Sequence, residues 1–364
     1  MTSWTSRLRM AITGLACGLA MASCSPKPAE KAEAPAAAKT YTVGWTIYAG
    51  WMPWPYAEQA GIVKKWSDKY GVDIKVVQIN DYVESLNQFT AGKIDAVTAT
   101  NMDSLTVPAA GGKDTTLLMI GDYSDGNDGI VLKDGKTLAD IKGRSVNLVE
   151  LSVSHYLLAR GLETAGLKAT DVKVVNTSDA DMVAAFGAPA TNAVVTWNPL
   201  LAEIKGMPKA TEVFNSSQIP GEILDTLAVS TEALKANPNL GKALTGIWYE
   251  TMALMKADTP EGKAAREAMG KLSATDLAGY EAQLKTTHMY YDPKDALAAM
   301  TSPDLVVAND RVRQFSFANG LFGKGAKSVD DIGIAFPGKT LGDPANVKLR
   351  FDPTYVQMAA EGKL

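Results

Sequence analysis

Short apolar runs alternate with amphipathic stretches twice along this chain, and that alternation constrains its fold more than any other feature. The first series reads as strand over 41–47, helix over 55–70, strand over 73–79, helix over 83–91, strand over 94–99, helix over 104–110 and strand over 116–120. Within 55–70, Ile62, Val63, Trp66 and Tyr70 recur on one helical face. The second series reads as strand over 145–149, helix over 154–165, strand over 172–175, helix over 179–186 and strand over 193–195. Strands joined by helices of this length imply crossover connections, hence mostly parallel sheets with helices on their faces. Beyond Thr231 the chain reads as largely helical, rich in Ala, Lys, Leu and Met.

Two α/β series predict two lobes. Between them lies the Gly-rich run Gly121–Gly129 (GDYSDGNDG), followed by the apolar Ile130-Val131-Leu132. A second short strand, Ile223–Val229, follows Pro220-Gly221. Read as paired crossovers, these make residues 41–125 and 226–364 a discontinuous first lobe. Residues 126–225 are then an inserted second lobe with its hinge strands. Two lobes on a two-strand hinge can close over a ligand. Asp122, Asp125 and Asp128 have calcium-loop character but lack the other ligands at the required spacing, so this run is read as a hinge loop.

The N-terminus carries an address. Arg7 and Arg9 precede an apolar stretch from Met10 to Ala22 that ends at Ser23-Cys24. This is the build of an export signal over 1–23, too short for a span of about 20 apolar residues. Met21-Ala22-Ser23-Cys24 resembles a lipobox, with Met where Leu is usual, and implies lipidation at Cys24. Residues 24–40 are Ala-, Pro-, Lys- and Glu-rich without an aromatic and read as a disordered tether. Cys17 falls inside the signal, so the exported chain keeps one cysteine and no internal disulfide. The expected location is the periplasm, with the protein anchored by lipid and monomeric.

Composition excludes several classes. The chain has 36 basic and 40 acidic residues; loss of Arg7 and Arg9 with the signal leaves 34 against 40, a balance unsuited to nucleic acid. The two histidines, His155 and His288, lie far apart, and no His/Cys spacing suggests a metal site. No Gly-rich phosphate loop is present, and no cofactor is expected.

Several strings resemble a known family: Gly92-Lys93-Ile94-Asp95-Ala96, Ile141-Lys142-Gly143, Ser152-Val153-Ser154-His155-Tyr156-Leu157-Leu158 and Trp197-Asn198-Pro199. Their order and spacing over about 41–320 resemble the periplasmic substrate-binding proteins of nitrate/sulfonate/taurine-type ABC importers. Longer strings at 44–57, 76–93, 100–112 and 146–160 resemble the subgroup associated with urea carboxylases, enzymes that themselves resemble ones acting on guanidine. The resemblance implies a two-lobed, type II-like periplasmic binding protein, with a permease and an ATPase as partners. Guanidinium and urea are the implied ligands. The same fold serves pyrimidine-precursor synthases, so an enzyme is the competing class. A sensory lipoprotein without transport is a third.

In open α/β sheets ligands sit beyond the carboxyl ends of strands, and that rule selects five loops. They carry Tyr48, Trp51, Trp54 and Tyr56; Asn80 and Asp81; Thr100, Asn101 and Asp103; Glu150, Ser152 and Ser154; and Thr196, Trp197 and Asn198. Three contain a carboxylate and two a tryptophan, while none contains Arg or Lys. Acids and π-faces suit a compact cation, which departs from the anion-binding members of the family. The expected contacts are Tyr48, Trp51, Trp54, Asp81, Asn101, Asp103, Glu150, Ser152 and Trp197. A neutral ligand such as urea would turn instead to Asn80, Asn101 and Asn198.

Plainer roles compete at each position. Asp81 and Asp103 stand where helix N-caps are favoured. Trp51 and Trp54 flank Pro53 and could plug the edge of a lobe, Trp66 and Trp248 fit core positions, and His155 fits a packed first turn.

Overall fold

The computed structural model describes residues 39–364. The expected signal, Cys24 and nearly all of the tether lie outside them. The chain opens with β1 (Thr40–Trp45), β2 (Asp73–Gln78), β3 (Ala96–Thr100) and β4 (Thr115–Ser124). It then crosses into β5 (Asp128–Lys133), β6 (Ser145–Leu148), β7 (Lys173–Asn176), β8 (Ala193–Trp197) and β9 (Ala210–Asn215). It returns through β10 (Leu224–Ser230) and ends with β11 (Thr287–Met289), β12 (Gly333–Phe336), β13 (Lys339–Leu341) and β14 (Val347–Phe351).

Among the described residues these strands form two sheets. The nine-stranded one has the order β13-β12-β14-β4-β10-β3-β1-β2, with β11 on β4; the five-stranded one has the order β7-β6-β8-β5-β9. The classical crossovers are parallel, as β1 with β2 and β3, and β6 with β7 and β8. The strands that carry the chain between sheets run the other way: β10 is antiparallel to β3 and β4, and β5 to β8 and β9. Both sheets are therefore mixed rather than mostly parallel.

Three local expectations are corrected. Residues 55–70 are two helices, Pro53–Gln59 and Ile62–Tyr70, broken where Gly61 takes φ 74°. The run 121–129 is mostly strand, not loop, because β10 and β11 both offer β4 backbone partners as far as Tyr123 and Ser124. The C-terminal part holds four strands besides its helices, since β4 presents an edge that β14 pairs through Leu349↔Thr115.

The helix Pro238–Lys256 covers the large sheet. Asn237 caps it, proline takes its first turn, and Leu240, Leu244, Ile247, Trp248, Met252 and Met255 are buried along it. In the smaller lobe, the helix Val153–Thr164 starts at Ser152, whose Oγ accepts from Ser154 N at 3.1 Å. Its first residue points toward the cleft between the sheets.

Candidate functional site

The strand ends converge on a narrow pocket between the two lobes, with about 20 Å³ of free volume. From the large lobe come Tyr48 and Trp51 beyond β1, Tyr82 at the start of the Tyr82–Thr90 helix, Thr100 closing β3, and Ile223 and Asp225 on the return crossover. From the smaller lobe come Asn127 and Asp128 at the start of β5, Val153 at a helix start, and Trp197 closing β8. No lysine or arginine is among these lining residues.

Aromatic rings form a chain across the cavity. Tyr48 meets Trp51 edge-on at 5.0 Å, Trp51 lies 5.7 Å from Tyr82, and Tyr82 reaches Trp197 of the other lobe at 6.0 Å. Such π-faces attract a cation and exclude water from around it.

Behind the rings lie four buried aspartates: Asp103, Asp122, Asp128 and Asp225. Asp122 and Asp225 are register partners on β4 and β10, so their side chains share one sheet face. Burial pushes both carboxyls up, Asp122 to about 7; the Asp122 charge raises Asp225 further while a hydrogen bond from Asp225 favours the Asp122 carboxylate, so the pair holds a proton. Asp122 Oδ1 accepts from the Tyr48 hydroxyl at 2.6 Å, and the same burial and nearby acids hold the Tyr48 proton in place. Asp128 accepts from Ser124 Oγ at 2.5 Å and is raised by burial to about 6. Asp103 accepts from the Tyr82 and Thr100 hydroxyls, both at 2.9 Å; burial still holds it at about 6.

Two buried polar atoms of the lining have no partner, Asn127 Oδ1 and Trp51 Nε1. The first is an acceptor. A buried acceptor left open is costly, and a donor-rich ligand would relieve it.

The sequence-derived candidates divide. Tyr48, Trp51 and Trp197 line the cavity, and Asp103 stands directly behind its wall. Trp54 does not reach it: the ring is buried one layer deeper, 5.6 Å from Trp248. Asp81 caps the Tyr82–Thr90 helix, with Oδ1 accepting from Glu84 N at 2.7 Å, outside the lining. Glu150 is exposed, and Ser152 is spent as a helix cap. Asn101 ties the return crossover instead, accepting from Leu224 N at 3.1 Å and donating to Asn309 Oδ1 at 3.2 Å. Of the residues considered for a neutral ligand, Asn80 is exposed, and Asn198 bonds Thr286 Oγ1 and Ala202 N. His155 is packed edge-on against Phe315 at 5.8 Å, and Trp248 is core.

Sequence reasoning missed Tyr82, Asn127, Asp122, Asp128 and Asp225 as site residues. A signal existed for two. Asp225 interrupts the apolar run ILDTLAV, and Asp122 follows LLMIG; an acid inside an apolar strand asks for a reason.

Residues 62–258 match the NMT1/THI5-like family, which is more than half of the chain. The chain belongs to the NMT1/THI5-like family. It is 27% identical over 163 residues to a binding protein of Brucella abortus, covering 44% of this chain and 50% of that protein. The chain thus spans about half the length of the curated relatives it matches. A segment of 64 residues is 44% identical to an aliphatic sulfonates-binding protein of Escherichia coli, covering 18% of this chain and 20% of that one. Among solved structures, the alkanesulfonate-binding protein of Xanthomonas axonopodis pv. citri bound to MOPS superposes with TM-score 0.65 at 19% identity, covering 79% and 96% of the two chains. The periplasmic nitrate-binding protein of Synechocystis PCC 6803 superposes with TM-score 0.55 at 15% identity, covering 90% and 99%. The fold of this family member is thus the α/β periplasmic-binding-protein fold, two sheets with flanking helices.

Proposed function

We propose that this chain is the periplasmic solute-binding component of an ABC importer, and that its ligand is a small planar cation, with guanidinium favoured. The observation that carries the ligand is the cavity itself: Asp128 and Asp225 in a lining of aromatic rings without a basic side chain, and Asp103 and Asp122 buried behind it. A guanidinium ion donates paired N–H bonds to carboxylates while its face lies on an aromatic ring. The open acceptor Asn127 Oδ1 suits such a donor. An anion would find buried acids where it needs donors, so the sulfonate and nitrate in the names of the relatives do not transfer. Urea has the same shape, but two of its three expected amide partners are engaged within the protein and the third is exposed. The likeness to urea-carboxylase-associated proteins fits the same nitrogen-rich class.

Calorimetry of the mature protein tests the ligand. Guanidinium should bind with a clear preference over urea; equal or tighter binding of urea would sink the cation reading. The export signal and Cys24 belong to the same proposal: processing would leave a lipid-anchored protein that delivers its ligand to a membrane permease. Cys24→Ala should leave the protein soluble or unprocessed, and continued sedimentation with membranes would remove the anchor from the scheme.

A further inference from the structure

The first crossover is short: Asp125-Gly126-Asn127 joins the end of β4 at Ser124 to the start of β5 at Asp128. Its backbone is fixed from both lobes. Asp125 N donates to Thr286 O at 3.0 Å, Gly126 N donates to Ser216 Oγ at 2.8 Å, and Asn127 O accepts from Asn198 N at 3.1 Å. Gly126 takes φ 103°, which a side chain would strain. Held in this way, Asn127 and Asp128 both line the pocket while only 2% and 3% exposed. Their side chains order each other. Asp128 Oδ2 accepts from Ser124 Oγ at 2.5 Å and from Asn127 Nδ2 at 3.3 Å. A carboxylate only accepts, so the amide turns its NH2 group to Asp128 and keeps a bare carbonyl. That carbonyl oxygen, Asn127 Oδ1, is buried without a partner. Both donors that reach the Asp128 carboxylate among the described residues meet Oδ2, so Oδ1 is open as well. Asp128 is also the register partner of Trp197 on β8, which puts the Trp197 ring on the same sheet face.

We propose that Asn127 is a specificity-determining residue: its carbonyl and the Asp128 carboxylate form a two-pronged acceptor that takes a pair of N–H groups from one edge of a planar ligand, whose face lies along Trp197. The inference rests on the reading of this pocket as a ligand site and deepens it by naming the shape the site selects. A lone carboxylate attracts any small cation, whereas two neighbouring acceptors held by the backbone favour a paired N–H edge. Guanidinium and urea both carry that edge. The charge of Asp128 then decides between them, because only guanidinium gains from it.

The experiment titrates guanidinium and urea by calorimetry into wild type and variants first shown to melt cooperatively. It is run at pH 8, where Asp128, raised by burial to about 6, is ionised. Asn127→Leu removes the carbonyl at similar size and should weaken guanidinium about tenfold or more; Asn127→Ala carries the test if the leucine variant does not fold. Asn127→Asp keeps an acceptor oxygen but gives up the bond to Asp128, so guanidinium should bind within threefold of wild type or tighter. Asp128→Asn should lower the guanidinium-to-urea preference about tenfold. Guanidinium affinity within threefold of wild type in the leucine and alanine variants would overturn the proposal. So would an Asn127→Asp variant that loses as much as they do, since Asn127 would then serve the framework rather than the ligand. Should wild type bind urea and not guanidinium, the cation reading falls, while a tenfold loss of urea in Asn127→Leu would still support the two-pronged acceptor. If wild type binds neither, both readings fall together.

Discussion

Asp225 and its partner Asp122 place an unfavourable arrangement at the heart of the ligand-free protein. Buried carboxyls with raised folded values hold protons that the unfolded chain has already released. Stability of the ligand-free form should therefore fall as pH rises from about 4, where an unfolded aspartate ionises, through the folded values of about 6 and 7 for Asp103, Asp128 and Asp122. Cation binding has the opposite sense, because it needs the ionised acids: affinity should increase as pH rises from 5 to 8, with net proton release. Calorimetry in buffers of different ionisation enthalpy reads that release directly, and a heat independent of buffer would contradict it. Asp225→Asn separates the two effects. Removing an ionisable group from this pair should raise the melting temperature of the ligand-free protein at pH 8 while weakening guanidinium binding by about tenfold or more. A variant that melts lower and binds as wild type would show that Asp225 is structural only.

Among the connecting elements, the return crossover is held by charge as well as by strand pairing. Glu222 precedes β10, and its side chain is 7% exposed. It accepts from Tyr156 Oη at 2.5 Å and from Arg160 Nε at 2.8 Å on the smaller-lobe helix, and from Arg311 at 2.8 Å on the Pro303–Ala318 helix of the large lobe. Burial alone would push this carboxyl up, but the two arginines and the tyrosine outweigh it and hold Glu222 below the usual range. The sign is thus opposite to that of the aspartates: this clasp contributes stability above the ordinary glutamate value and loses it as pH falls through the lowered one. Glu222→Ala leaves the partly buried Arg160 with only the exposed Glu163 as a partner. It should cost about 2–3 kcal/mol, less than the 3–5 of a fully buried pair because Arg311 is 58% exposed. Urea unfolding at pH 7 measures this; a change below about 0.5 kcal/mol, the range of neutral surface substitutions, would show that the clasp contributes little. Ser124 and Ser216, one from each crossover, bond at 2.6 Å, so the two connections also move as a tied pair.

At the scale of the whole molecule, the two lobes meet around the cavity through the Tyr82–Trp197 edge, Asn198 Nδ2 on Thr286 Oγ1 at 3.1 Å, and Phe315 against His155 and Tyr156. Such a seam opens about its two crossovers more easily than either sheet deforms. Small-angle scattering should therefore give a smaller radius of gyration with saturating ligand than without; an unchanged radius would count against hinged closure.

The division between what could be read and what could not follows from the range of the interactions. Hydrophobic periodicity is local, so the strand–helix series, the two-sheet organisation and the helix starting near Ser154 were legible residue by residue. So were the aromatic loop at Tyr48 and Trp51, Trp197, and the absence of basic side chains beyond the strand ends. Acids placed by loop position fared worse. Asp81 and Glu150 satisfy the same positional rule as Asp103, but one caps its own helix and the other turns to solvent. The decisive carboxylates sit inside strands whose neighbours come from distant parts of the chain: Asp122 meets Asp225 only because β10 returns antiparallel beside β4. The late strands β11 to β14 were hidden for the same reason, being short and stable only against the edges of a sheet formed earlier. The sequence by itself determined an α/β fold with two strand–helix series, and strand-end loops without basic side chains. Tertiary structure alone decided which acids are buried, paired and protonated, because burial and pairing are properties of residues brought together, not of residues in order.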